Sequence, residues 1–225
     1  RYSRELTRPG SAGLRLVGTD QRIPRADASF WGLSTRLQRL DNPVNPHSGL
    51  YIESLIERGQ KYQRSKELGG QGDTTRVFRS VTQERLRITG RGYLPTLGRQ
   101  LIVLGVDFYA LLSDRVDESD LFRFGGANSL RGYDEDQFRA QTAMRLLSEY
   151  RILLDPSSFV FVFVDIGYVE PAKTEDTPAE KGWYPGFGLG MQFETAVGLV
   201  TVSYALNDRD SVSNGRIHFG VSFGL

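Results

Sequence analysis

From Gly215 to the C-terminus the apolar positions fall at Ile217, Phe219, Val221, Phe223 and Leu225, with Arg216, His218, Gly220, Ser222 and Gly224 between them. A period of two places one set on each face of an extended strand. The preceding segments repeat it. Val200, Val202, Tyr204 and Leu206 alternate with Thr201, Ser203 and Ala205, and Phe187, Leu189, Met191 and Phe193 alternate with Gly188, Gly190, Gln192 and Glu194. Upstream, Ile102, Leu104, Val106 and Phe108 share one face, and Met144, Leu146, Tyr150 and Ile152 oppose Arg145, Glu149 and Arg151. Weaker alternation covers Ser11 to Thr19, Ala28 to Leu40, Gly49 to Glu57 and Arg76 to Tyr93. The pattern predicts about ten strands, each near the ~9–11 residues that a tilted strand needs to cross a bilayer.

The connections decide between a soluble sandwich, which also alternates, and a membrane barrel. Asn207 to Asn214 is a polar loop and Thr195 to Gly198 a tight turn; Glu170 to Gly182 is long and acidic, and Asp155 to Ser158 tight; Ser113 to Glu135 is very long, and Leu94 to Gly98 short. Strict alternation of long and short connections is the habit of membrane barrels, with short turns on one rim and long loops on the other. The expected fold is therefore all-β, an antiparallel transmembrane β-barrel with a long loop folded into the lumen, residues 1–225 forming a single barrel domain.

Composition narrows the function. The 225 residues carry 28 Lys plus Arg against 27 Asp plus Glu, so no basic excess exists for nucleic acid. The longest apolar run, Phe159 to Val164, ends at Asp165, far short of the roughly 18 residues of a membrane helix; a helical transporter is excluded. Cysteine is absent and histidine is limited to His47 and His218, which leaves little material for thiolate metal sites or Ser-His-Asp chemistry. The acids Asp107, Glu149, Asp165 and Glu194 fall on the inferred inner face, where plain lumen polarity is a better account than a paired-carboxylate hydrolase. The loop acids Glu175, Asp176 and Glu180 read as a solvated surface, and Gly186-x-Gly-x-Gly190 as small residues that let an internal loop approach. No catalytic residue, metal or cofactor is expected, and no enzyme.

One loop departs from ordinary loop chemistry: Phe122-Arg-Phe-Gly-Gly-Ala-Asn-Ser-Leu-Arg-Gly-Tyr133. Leu130 and Tyr133 flank a cation, Arg131, and a segment so built gains by packing inside something. Together with Glu149-Tyr-Arg151, Phe163-Val-Asp-Ile-Gly167, Gly186-Phe-Gly-Leu-Gly190 and Asn45-Pro-His-Ser-Gly49, this segment resembles the outer-membrane assembly and translocation barrels. That is the bacterial surface antigen superfamily, to which BamA, TamA and the two-partner secretion transporters belong. The resemblance runs at least from Asn42 to Leu225. It implies that the motif residues Gly125, Gly126, Leu130, Arg131, Gly132 and Tyr133 fold into the lumen, with Glu149 and Asp165 on the inner wall as acidic partners of Arg131. It also implies that Ile217, Phe219, Val221 and Phe223 form a C-terminal seam strand. The bacterial outer membrane and its lipid are then the expected setting, and client outer-membrane or secreted polypeptides, a second barrel chain or a larger complex the expected partners. Phe138-Arg-Ala140 departs from the family's Phe-Arg-Gly, and the family's periplasmic polypeptide-transport-associated domains are absent from these residues. Two other readings follow from the same features: a structural or accessory pore without insertase activity, and the membrane anchor of a patatin-like lipase. No Gly-x-Ser-x-Gly elbow occurs in the chain.

Overall fold

The computed structural model describes residues 1–8, 16–17, 20–21, 25–68, 74–172, 181–196 and 198–222, with side chains described except at 16–17, 20–21, 65–68 and 74–75. Ten strands form one continuous antiparallel path in chain order: β1 (Tyr2–Thr7), β2 (Arg25–Leu40), β3 (Gly49–Leu68), β4 (Thr74–Pro95), β5 (Gln100–Ser113), β6 (Thr142–Leu153), β7 (Phe159–Glu170), β8 (Gly182–Thr195), β9 (Gly198–Asn207) and β10 (Arg216–Ser222). The short pieces Leu16–Val17 and Asp20–Gln21 pair with each other, and Asp20 pairs with Glu67. Among the described residues no ladder joins β1 to β10, and no helix is long and apolar enough to cross a membrane.

The alternation sorts side chains as read from the sequence. On β5, Leu101, Val103, Asp107 and Leu111 are buried inside, while Leu104 and Leu112 are exposed. On β7, Phe159, Phe161, Phe163 and Asp165 are buried, while Val162, Val164 and Ile166 face out. Apolar side chains therefore coat the outside of β5 to β10, the arrangement expected where lipid replaces water as the outer solvent. The sheet curls around its other face. Arg85 of β4 donates to the Glu5 carboxylate of β1 at 2.8 and 2.9 Å and stacks over Phe30 of β2 at 4.0 Å. Contact between side chains three strands apart requires a strongly concave surface.

Short turns gather on one rim. At Asp41–Ser48 the Asp41 carboxylate accepts the backbone N–H groups of Asn42, His47 and Ser48 at 2.9–3.0 Å, which closes the turn without help from the sheet. Asp155 does the same for Ser157 and Ser158 at 2.8 and 2.7 Å. Asn45 Nδ2 donates to the Pro156 carbonyl at 2.8 Å, so these two turns touch. The described long connections, residues 114–141 and 208–215, leave from the opposite strand ends.

Two features differ from the sequence reading. Tyr2–Thr7 is a strand paired with β2, where the alternation predicts none before Ser11. The expected strand at Ser11 to Thr19 lies largely outside the described residues. β3 runs to Leu68, well beyond the predicted Gly49–Glu57, because its outer row there is polar (Arg58, Gln60, Arg64) and backbone pairing does not require an apolar face; β4, Thr74–Pro95, matches the predicted Arg76–Tyr93 to within two residues at each end.

Candidate functional site

The connection from β5 to β6 enters the concave face. Its strands Phe122–Phe124 and Phe138–Ala140 pair as a small ribbon. Between them Gly125 and Gly126 adopt φ of 118° and 100°. The Gly125 N–H donates to Ser129 Oγ at 2.7 Å and the Gly126 N–H to the Leu130 carbonyl at 3.0 Å, a compact turn that aims Leu130 and Arg131 at the wall. Leu130 is fully buried with Phe124, Tyr133, Phe138, Ala143 and Val169, so a small apolar core sits inside the sheet. Burial of this kind offsets the entropy of ordering a long loop.

Arg131 follows. Its Nε and Nη2 donate to the two oxygens of Asp165 at 2.8 and 2.7 Å, its Nη1 to Glu149 Oε1 at 2.6 Å, and its backbone N–H to Asp165 Oδ2 at 3.3 Å. The planar fork of arginine matches a carboxylate with two parallel bonds, which lysine cannot do. The same guanidinium lies 3.6 Å above the Phe163 ring, a cation–π contact that gains strength where water is excluded. Arg151 repeats the pattern one step along the wall, donating to Glu149 Oε2 at 2.8 and 2.6 Å and stacking over Phe159 at 4.3 Å. Phe161 and Phe163, apolar residues on an otherwise polar inner face, are thus the platform of this cation network. Facing them on β8 are Gly188 and Gly190, where a Cβ would collide with the rings.

A second cluster holds the loop from the side. Asp107 accepts from Arg145 at 2.9 and 2.6 Å and from Arg91 at 2.8 and 2.7 Å, and Arg145 also donates to the Ser129 carbonyl. Beneath the loop tip lies a cavity of about 260 Å³ bordered by Asn128, Arg131, Glu149, Arg151, Gln192 and His218.

The residues after Arg131 bind the last three strands. Gly132, at φ 91°, donates its N–H to His218 Nε2 of β10 at 3.1 Å. Its carbonyl accepts from Asn207 Nδ2 of β9 at 2.9 Å and from Arg216 Nη1 of β10 at 3.0 Å. The Tyr133 hydroxyl donates to the Pro185 carbonyl of β8 at 3.0 Å. The approach is close: a Cβ on Gly186 would fall on the Arg131 carbonyl. At its other end the connection is tied to the opposite wall. Lys61 of β3, 2% exposed, donates to Asp117 at 2.8 Å and Asp120 at 2.6 Å; Gln83 of β4 donates to Asp120 at 2.9 Å and Gln63 of β3 to Asp117. The loop is a strap pinned at both ends.

Of the residues singled out in the sequence, Gly125, Gly126, Leu130, Arg131, Gly132, Tyr133, Glu149 and Asp165 come together on the concave face of the sheet. Ile217, Phe219 and Val221 project outward from β10, 53–68% exposed, and Phe223 lies outside the described residues, as do Glu175, Asp176 and Glu180. Asp107, Glu149 and Asp165 are each engaged by arginine and Glu194 is exposed, so no free carboxylate pair is formed by them. No metal-binding cluster occurs among the described residues. The roles of Arg91, Arg145, Arg151 and Phe163 go unassigned in the sequence reading, although the alternation places Arg145 and Arg151 on the Glu149 face. Lys61 and the β1 contact of Arg85 are missed outright.

Residues 11–224 match a family model described as the Omp85 superfamily domain. No curated protein matches the chain. Among solved structures, BamA from Haemophilus ducreyi lacking POTRA domains 1–3 superposes with a TM-score of 0.56 at 13% identity, covering 87% of this chain and 53% of that one; the chain spans about half the length of that structure. CdiB from Acinetobacter baumannii overlaps with a TM-score of 0.42 at 13% identity, covering 87% of this chain and 41% of that one.

Proposed function

The chain belongs to the Omp85 superfamily, and from that premise we propose that it forms part of a bacterial outer-membrane barrel that inserts or translocates other polypeptides. The observation that carries this reading is the strap. A loop that joins Arg131 to β6 and β7, and Gly132 and Tyr133 to β8, β9 and β10, couples the contents of the lumen to the last strand of the sheet. β10 is paired only with β9 among the described residues. Unpaired backbone groups are costly in lipid, so the free edge of β10 must be satisfied, by a strand of a client, by another barrel chain or by further strands of the same barrel. The strap sets how far β10 can move to accept one. Lipid contacts the outer rows of β5 to β10, and polypeptide clients are the partners.

The test is reconstitution. The chain is folded into liposomes and a small outer-membrane barrel is added unfolded, its folding followed by gel mobility without heating. Faster client folding than in empty liposomes, lost in Arg131→Ala, supports insertion. Ion conductance with no change in client folding contradicts it and favours a pore.

A further inference from the structure

The outer surface of β2, β3 and β4 carries a group of arginines with few partners on the sheet, Arg64 lying 5.9 Å over the Phe78 ring. Arg25 of β2 stands directly across the ladder from Arg64 of β3, and Arg64 stands across from Phe78 of β4, one outward position from Arg76. All three arginines are exposed on the face opposite buried Gln63 and Ala26. Like charges directly opposite one another destabilise a sheet, and diagonal neighbours are within reach of long side chains. The outer-face acids beside them are already engaged: Asp27 is held by Arg4 at 3.0 and 2.5 Å and Glu84 pairs with Arg58 at 3.4 Å. Among the described residues, Arg25 and Arg76 pair with no carboxylate.

Height makes this cluster informative. The contact between Asn45 and Pro156 puts the β2–β3 and β6–β7 turns at one level. Tyr168, stacked with Trp183 at 5.1 Å, lies about a dozen residues up β7 from Pro156, and Gln60 and Tyr62 lie about as far up β3 from the end of its turn. Outward Tyr and Trp mark the polar edge of a bilayer. Tyr62 and Phe78, 58% and 70% exposed, continue that ring, and Arg25, Arg64 and Arg76 stand just beyond it.

We propose that Arg25, Arg64 and Arg76 form an outward-facing site for phosphorylated lipid headgroups of the leaflet at the long-loop rim, with Phe78 and Tyr62 against the start of the acyl region. Guanidinium groups bind phosphate through paired, charge-assisted hydrogen bonds, and one bound phosphate removes the repulsion between Arg25 and Arg64. The inference rests on the membrane placement proposed above. It would hold the hairpin at a fixed depth and make protein orientation depend on lipid charge.

The full chain is folded into phosphatidylcholine vesicles containing either diphosphoryl lipid A or its dephosphorylated form. It is then extracted in mild detergent, and co-retained lipid is counted by mass spectrometry. The expected result is retention of the phosphorylated lipid only, reduced on the order of a hundredfold in the triple variant Arg25→Ala, Arg64→Ala, Arg76→Ala. Arg39→Ala, which removes a charge from the other end of β2, should retain it as the parent does. Equal retention by the triple variant, or equal retention of the dephosphorylated lipid, overturns the site. Displacement by inorganic phosphate at the lipid's own concentration overturns the lipid assignment in favour of a free-anion site. Failure of the parent chain to enter vesicles overturns the membrane placement and this inference with it.

Discussion

His218 of β10 accepts the backbone N–H of Gly132 at 3.1 Å, so the inward loop and the last described strand share a hydrogen bond. Gly132 sits beside Arg131, whose charge is fixed on β6 and β7, and the bond passes that fixation to the sheet edge. Replacing His218 by Ala leaves a buried donor unsatisfied, a loss of about 1–3 kcal/mol. His218→Gln offers an acceptor in its place. Amide exchange of β10 should accelerate in His218→Ala and recover in His218→Gln; equal exchange in all three proteins would show that the strand is held by β9 alone.

Lys61 provides the opposite anchor. Truncation to Met removes the cation from Asp117 and Asp120, whose side chains are 9% and 5% exposed. Breaking a buried pair by removing one partner costs about 3–5 kcal/mol. Limited proteolysis of vesicle-embedded protein should then cut near residues 114–121 in Lys61→Met while the Arg131 end stays protected. Unchanged resistance would mean that the ribbon alone holds this segment.

Gly186 on β8 and Gly220 on β10 give a steric contrast along the inner face. An added Cβ at Gly186 strikes the Arg131 carbonyl, whereas at Gly220 it meets only Thr201 Cβ at 3.8 Å. Gly186→Ala should destabilise by about 1–3 kcal/mol through overpacking, measured as a lower urea midpoint in detergent. Gly220→Ala should leave the midpoint unchanged, and a matching loss there would remove the loop from the explanation.

Acid should loosen the short-turn rim. Backbone N–H donors, that of Ser48 foremost and then those of His47 and Asn42, hold the Asp41 carboxyl below the usual carboxylate range; Ser157 and then Ser158 do so for Asp155. A depressed folded-state value means that the stabilisation is complete above the ordinary carboxylate range and is lost as pH falls through the lowered value. The urea midpoint should fall with acid, with a smaller fall in Asp41→Asn, which has already lost the charge. Identical pH profiles for the two proteins would contradict the assignment.

The strand faces were legible wherever the outer row is uniformly aliphatic, as along Val160, Val162, Val164 and Ile166, because lipid demands apolarity and the lumen does not. The same criterion was blind to the upper half of β3, where Arg58, Gln60, Tyr62 and Arg64 face out and no aliphatic row continues, and to β1, whose outward Tyr2, Arg4 and Leu6 alternate too briefly to register. Within the site, period two placed Glu149 and Asp165 on the inner face. It could not explain Phe161 and Phe163 beside them, since their reason is a guanidinium delivered by a distant loop. Lys61 was hidden for a related cause: its partners Asp117 and Asp120 sit in a short 3₁₀ turn with no periodic signal.

Arg131 and Asp165 carry the brace between loop and wall, and a double-mutant cycle measures their coupling. Arg131→Met, Asp165→Asn and the double variant are unfolded in urea from lipid vesicles beside the parent chain. If the guanidinium holds the loop to the wall, the two losses overlap and the coupling energy is on the order of 2–3 kcal/mol. Losses that add within about 0.5 kcal/mol would contradict the brace and leave Arg131 an incidental cation of the lumen.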